Sequence, residues 1–200
     1  MNNADRSASE GMRVELLELL RTRSFARRAV TLSSGKASNF YIDCKQVTLD
    51  ARGHVLIGKL LFDALRAVET SEGVRFEGVG GLTLGADPLA SAVSLTSSLE
   101  GHPLPAFIVR KEPKAHGTGA YLEGMGNIAA GGHLVVLEDV VTTGRSAMVA
   151  VDRVRAAGYR VGLVLALVDR LDGGREVIEA AGLKLVTLFD RRDFMPDDDA

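Results

Sequence analysis

The sequence predicts an α/β domain, with a central and mainly parallel sheet covered by helices on both faces. Three observations carry that expectation. Short, nearly continuous apolar runs recur along the chain, and amphipathic stretches separate them, as a sheet buried on both faces requires. The 200 residues fit one ordinary domain, and a chain of that size hides roughly 70% of its extended surface. Hydrophobic residues make up 46% and charged residues 25%, an ordinary globular composition that argues against long disorder. With no Trp and few aromatics, the core must be built mainly from Leu, Val and Ala.

Taken in chain order, residues 1–10 are polar and small and are expected to fray. Residues 12–20 interleave Val14, Leu16, Leu17, Leu19 and Leu20 with Arg13, Glu15 and Glu18, which predicts a short amphipathic helix. Residues 31–44 open with turn chemistry and close on β-prone residues, so they read as a hairpin or an irregular loop feeding a strand. Helical periodicity returns from Val55 to about Val68. Strands are then expected at 76–79 (broken by Gly80-Gly81), 106–109, 134–137, 161–168 and 183–188. Helices are expected from about Pro88, over 146–157 and over 175–181. No internal repeat or linker divides the chain, so residues 1–200 form a single domain. The closing MPDDDA reads as a solvated acidic terminus.

Charge and cysteine usage exclude several classes. A formal net charge of −2 gives no global field for nucleic acid or anionic membrane, so any phosphate chemistry rests on local clusters. Cys44 is the single cysteine and cannot form an internal disulfide, which fits a reducing compartment. The N-terminus has no apolar core of a secretory signal, and the longest apolar run is too short to span a bilayer. A cytoplasmic location is expected.

The most informative segment is 134–146, LVVLEDVVTTGRS. A buried strand delivers two adjacent carboxylates, Glu138 and Asp139, to the carboxyl edge of a parallel sheet, where ligands of such sheets bind. Val140 and Val141 follow, then Thr142, Thr143, Gly144, Arg145 and Ser146 lead into a helix. Hydroxyls, backbone N–H groups and the positive end of a helix dipole together form a cradle for a phosphate monoester. The carboxylates suit vicinal ribose hydroxyls or a hydrated Mg²⁺ bridging to phosphate oxygens. An acidic strand end followed by a Thr helix cap would explain either half alone, but not the joint pattern. The turn is not a P-loop, since no Gly-Lys-Ser/Thr closes it.

This segment closely resembles the phosphoribosyl pyrophosphate (PRPP) motif of the type I phosphoribosyltransferases. The resemblance spans about residues 31–170 and implies that family's fold, with a small N-terminal hood including 31–44 beside the base. It implies that Glu138 and Asp139 face the ribose hydroxyls and that 142–146 hold the 5-phosphate. The loop Gly80, Gly81, Leu82 and Thr83 would receive the pyrophosphate, its adjacent glycines allowing close backbone approach. Some relatives carry Lys where Ser33 and Leu84 stand, and Lys36 either compensates or is an ordinary loop residue.

A second run, Arg110-Lys111-Glu112-Pro113-Lys114-Ala115-His116-Gly117, matches the catalytic loop of the orotate phosphoribosyltransferases specifically. In that family it lies in a mobile loop, here 110–126, that reaches the neighbouring subunit's site, which implies a homodimer. Displacing pyrophosphate puts negative charge on the departing oxygens, so cations brought there favour the transition state. Lys114 and His116 are the choices for that contact, with Arg110 and Lys111 beside them binding PRPP; Lys114, His116 and Asp139 are the catalytic residues, and His116 could also supply a proton. Orotate's carboxylate suits a forked guanidinium, which points to Arg170, with Thr142 and Lys36 also near the base. Phe40 and Tyr41 either border the base or belong to the core. The expected reaction joins orotate to the phosphoribosyl group of PRPP with Mg²⁺, and no metal ligand is expected to come directly from the protein. The alternatives are transfer to another nucleobase, or a non-catalytic PRPP-sensing regulator.

Overall fold

The computed structural model describes residues 3–31, 37–113 and 120–196. The first helix, α1 (Asn3–Arg23), starts nine residues before the expected one and absorbs the segment expected to fray. Ala4, Ser7, Ala8, Ser9 and Glu10 break no helix, and Leu16 and Leu20 are completely buried, so packing further along holds the whole rod. After it, β1 (Phe25–Thr31) and β2 (Ala37–Ile42) pair antiparallel, from Phe25 opposite Ile42 to Thr31 opposite Ala37. A hairpin is therefore present, but the span 31–44 supplies only its second strand, and the first lies ahead of it. Its first strand went unread because Arg27 and Arg28 interrupt its apolar pattern.

The chain continues through α2 (Lys45–Thr48) into the long α3 (Ala51–Glu72). Asp50 starts α3 by accepting hydrogen bonds from the backbone N–H of Arg52 at 3.0 Å and of Gly53 at 2.9 Å. Then come β3 (Gly78–Leu82), α4 (Ala86–Leu99), β4 (Ala106–Val109) and the short β5 (Leu122–Glu123). The domain closes with β6 (His133–Val141), α5 (Arg145–Ala156), β7 (Arg160–Asp169), α6 (Gly174–Ala180), β8 (Lys184–Asp190) and α7 (Arg191–Phe194).

The main sheet runs β5-β4-β3-β6-β7-β8, parallel throughout except where β5 pairs with β4. Side chains alternate across it. Val135 and Leu137 face a core shared with α1, α3 and α4, while Leu134 and Val136 face one shared with α5 and α6. This is the two-faced α/β architecture that the sequence predicts.

Two boundaries differ in ways that matter for the site. The strand after residue 76 does not break at Gly80-Gly81, because both glycines are buried inside β3. A Cβ on Gly80 would stand 2.1 Å from the Phe107 carbonyl oxygen, and one on Gly81 2.2 Å from that of Leu137. Their smallness lets three backbones close up, and the turn that leaves the strand begins only after Leu82. The strand at 134 does not end at Leu137 but runs to Val141, placing both carboxylates within β6. The expected 110–126 loop is also shorter than its expected span. Leu122 pairs with Val109 and Glu123 with Ile108, which ties residues 122 and 123 to the sheet.

Candidate active site

The order of the strands locates the site before any side chain does. From β3 the chain steps outward to β4, then returns to lay β6 on the other side of β3. At such a reversal the connections leave in opposite directions, and a crevice opens beyond the carboxyl ends of the two strands. Residues 83–85 leave β3 there, and residues 142–144 leave β6 there.

Asp139 joins the two. Its carboxylate lies so close to Gly85 that a Cβ at that position would stand 2.6 Å from Oδ1. Oδ1 also accepts a hydrogen bond from the Val140 N–H at 2.9 Å. The Asp139 charge reaches Cys44 and Lys45, bringing the chain just past the hairpin into the same neighbourhood. Lys45 was missed at the sequence level, since one lysine opening a short helix has no distinguishing pattern.

Glu138 is buried, and its Oε2 has no hydrogen-bond partner among the described residues. Burial pushes its carboxyl well above the ordinary range, and the adjacent Asp139 charge adds to the effect. The Lys111 charge acts weakly in the opposite direction, so it lies within electrostatic reach of Glu138. Glu138 also borders a pocket of about 220 Å³ that residues 140–147 complete. Here Gly144 holds φ at 75°, and Gly174 packs so tightly that a Cβ on Gly144 would stand 2.9 Å from its carbonyl. Gly144 makes no side-chain cap, so the first N–H groups of α5 are left for another acceptor. Val140, Val141, Thr142, Thr143, Gly144, Arg145 and Ser146 therefore line one pocket with a carboxyl at its edge.

A second pocket, of about 420 Å³, lies between Thr83 and Asp87 on one side and Ile108, Arg110, Lys111, Glu112 and Glu123 on the other. The Thr83 hydroxyl donates to Asp87 Oδ2 at 2.6 Å, and its backbone N–H donates to the Val109 carbonyl at 2.8 Å. Leu84, where some relatives carry a lysine, is 70% exposed. Arg110 donates to Glu123 at 3.3 Å and to the Glu112 carbonyl at 3.2 Å, whereas Lys111 is exposed. Lys114, His116, Ser33 and Lys36 lie outside the described residues.

Arg170 is not a surface arginine in a turn but is only 8% exposed. Its backbone N–H donates to Val141 at 2.9 Å, its Nε lies 3.2 Å from Asp172 Oδ2, and its guanidinium sits 5.3 Å from the Phe40 ring centre. The turn carrying it is organised by the buried Asp169, which accepts from the Leu171 N–H at 2.9 Å and pairs with Arg175 at 3.1 Å. Phe40 itself is a core residue, packed against Phe25 and Phe194, and Tyr41 is covered by the Arg28 guanidinium. Of the two readings of these aromatics, the core one holds for Phe40.

Comparison with known proteins agrees with this geometry. No family model matches the chain. The orotate phosphoribosyltransferase of Sorangium cellulosum (strain So ce56) is 52% identical over 191 residues, which cover 96% of this chain and 97% of the relative. Among solved structures, the Mycobacterium tuberculosis H37Rv orotate phosphoribosyltransferase in complex with Fe(III) dicitrate matches with a TM-score of 0.76 at 40% identity, over 92% of this chain and 98% of that one. The same mycobacterial enzyme in complex with 5-phospho-alpha-D-ribosyl 1-diphosphate gives a TM-score of 0.72 at 38% identity, over 92% and 99% of the two chains.

Proposed function

The chain belongs to the orotate phosphoribosyltransferase family, and we infer that it transfers the 5-phosphoribosyl group of PRPP to orotate. The products are orotidine 5′-phosphate and pyrophosphate, a step of pyrimidine nucleotide synthesis. One observation supports the assignment of roles above the others. The phosphate-sized pocket at 138–147 and the turn at 83–85 meet through Asp139 at the strand reversal.

In this reading the 5-phosphate sits on the N–H groups and hydroxyls of residues 142–146. Glu138 and Asp139 accept hydrogen bonds from the ribose hydroxyls, which turns the C1 carbon and its diphosphate toward Thr83 and the second pocket. Leu82 and Thr83, at the end of β3, meet the diphosphate, while Gly80 and Gly81 act behind them by close packing. A nitrogen of orotate forms the new bond to C1 as the C1–oxygen bond to pyrophosphate breaks. Positive charge grows on the sugar and negative charge on the departing oxygens, so Arg110, Lys111, Lys114 and His116 assist most in the transition state. His116 can give the leaving group a proton. Arg170, with Thr142 and Lys36, takes the orotate carboxylate and ring.

We also propose that Mg²⁺ takes part. Among the described residues no group of three or more His, Cys, Asp or Glu side chains could hold a metal. The acidic pair with an unsatisfied buried oxygen fits a hard cation that keeps its waters and binds through substrate oxygens. When bound, the ion neutralises diphosphate charge; Glu138 and Asp139 would hold it through water. A homodimer that shares the loop between β4 and β5 across its interface, working in the cytoplasm, completes the proposal. Among the described residues no helix is long and apolar enough to cross a membrane.

The test follows orotate's ultraviolet absorbance with PRPP and Mg²⁺, where steady consumption is expected. No loss of orotate alongside turnover of a purine base would move the assignment to another nucleobase. PRPP binding without turnover of any base would point to a regulator.

A further inference from the structure

We propose that Arg153 is a positioning residue for the cationic run, fixing the backbone from which Lys111 reaches the second pocket. The inference rests on the role given to Lys111 above. The ladder between β4 and β5 ends at Val109 and Leu122, after which the Arg110 N–H still donates to the Tyr121 carbonyl at 2.8 Å. The next two carbonyls of this segment point away from any strand. Arg153 takes both, its Nη1 donating to the Arg110 carbonyl and its Nη2 to that of Lys111 at 3.1 Å. The same guanidinium lies 4.0 Å from the centre of the Tyr121 ring, so one planar group grips both chain segments leaving the sheet edge.

Where Arg153 stands gives the grip its meaning. It projects from α5, whose Val151 and Val154 are completely buried, and the same helix begins at the turn lining the first pocket. A rigid helix thereby links the proposed phosphate cradle to the segment that presents Lys111. The Arg110 side chain is already engaged with Glu123 and the Glu112 carbonyl, so Lys111 is the cation whose reach depends on this backbone. A lysine at 153 would carry the charge but could not fork onto two carbonyls while stacking on a ring.

The test measures kcat and both KM values for Arg153→Ala, Lys111→Ala and the double variant. A misplaced catalytic group costs up to about 100-fold, so Arg153→Ala is expected to lower kcat roughly 10- to 100-fold with the orotate KM held within about twofold. If Arg153 acts through Lys111, the double variant is slower than Lys111→Ala by no more than about twofold. Arg153→Lys is expected to recover part of the rate, and if the alanine variant fails to fold, it is read in its place against the same double-variant criterion. A kcat within twofold of wild type, or losses that multiply in the double variant, would overturn the inference. If Lys111→Ala itself keeps full activity, the role given to the cationic run fails and takes the inference with it. A damaged Lys111→Ala beside an intact Arg153→Ala overturns the inference alone.

Discussion

Glu138→Gln tests whether the acidic pair is held against stability for the sake of a ligand. The unfolded chain ionises this carboxyl near its ordinary value of 4.5, whereas the folded chain resists ionisation because the group is buried beside Asp139. The folded state therefore keeps a proton that the unfolded state has lost. Stability from this group is complete below the unfolded value and declines as pH rises through the higher folded one. Glutamine has the same shape, no charge to bury and an amide that can donate toward Asp139. An unsatisfied buried polar group costs about 1–3 kcal/mol, and Oε2 is such an atom among the described residues. At about 2–4 °C per kcal/mol for a domain of this size, the variant should melt roughly 3–10 °C above wild type near pH 8. The gap should narrow toward pH 4.5 and close below it, where the wild-type carboxyl is protonated in both states. Thermal melts by circular dichroism, in buffer free of metal and PRPP, measure this directly. PRPP affinity, by titration calorimetry, should fall about 2- to 10-fold, since a neutral hydrogen bond contributes about 0.5–1.5 kcal/mol. A variant that melts no higher than wild type near pH 8, or that binds PRPP as well, refutes the reasoning.

Other substitutions separate the parts of the site. Asp139→Asn keeps the contact with Gly85 but loses the charge, so the PRPP KM should rise about tenfold while the orotate KM holds; unchanged PRPP use would remove Asp139 from the ribose contact. Arg170→Ala should raise the orotate KM about 10- to 100-fold with little effect on PRPP, and steady-state kinetics giving equal changes in both would reassign it. Gly81→Ala drives a methyl to 2.2 Å from the Leu137 carbonyl, so its melting point should fall. Overpacking of about 1–3 kcal/mol predicts a loss of roughly 3–10 °C, and a melt within about 2 °C of wild type would show that β3 and β6 can separate there.

The parallel core was legible because β6 and β7 are apolar runs whose side chains are mostly buried, while β4 and β8 are shorter apolar runs that mix buried and partly exposed side chains. What stayed illegible depends on partners remote in sequence. β1 carries Arg27 and Arg28, and its pairing with β2 makes it a strand. β5 has two residues and exists only against β4. Gly80-Gly81 reads locally as a turn, and only the neighbouring Phe107 and Leu137 backbones show it as strand interior. Arg153 and Asp169 carry no motif either, because each acts on backbone presented by another part of the fold or by the following turn.

The acidic pair shows most clearly what sequence and structure each contribute. Adjacency in sequence suggested one site with two equivalent carboxylates. Adjacency in a strand does the opposite, since successive side chains leave on opposite sides. Glu138 turns into the pocket bordered by 140–147 and is buried, while Asp139 leans on Gly85 and stays half-exposed. The two still sense one another, because the Asp139 charge helps hold the Glu138 carboxyl protonated. Extending β6 through Val141 is what produces this division, and had the strand ended at Leu137 the pair would have projected from a flexible turn. A rigid strand thus holds one carboxyl toward the phosphate turn and the other toward the loop after β3. In the proposed roles, this would set the separation between the two ends of a sugar phosphate before the ligand arrives, leaving less of that ordering to the moment of binding.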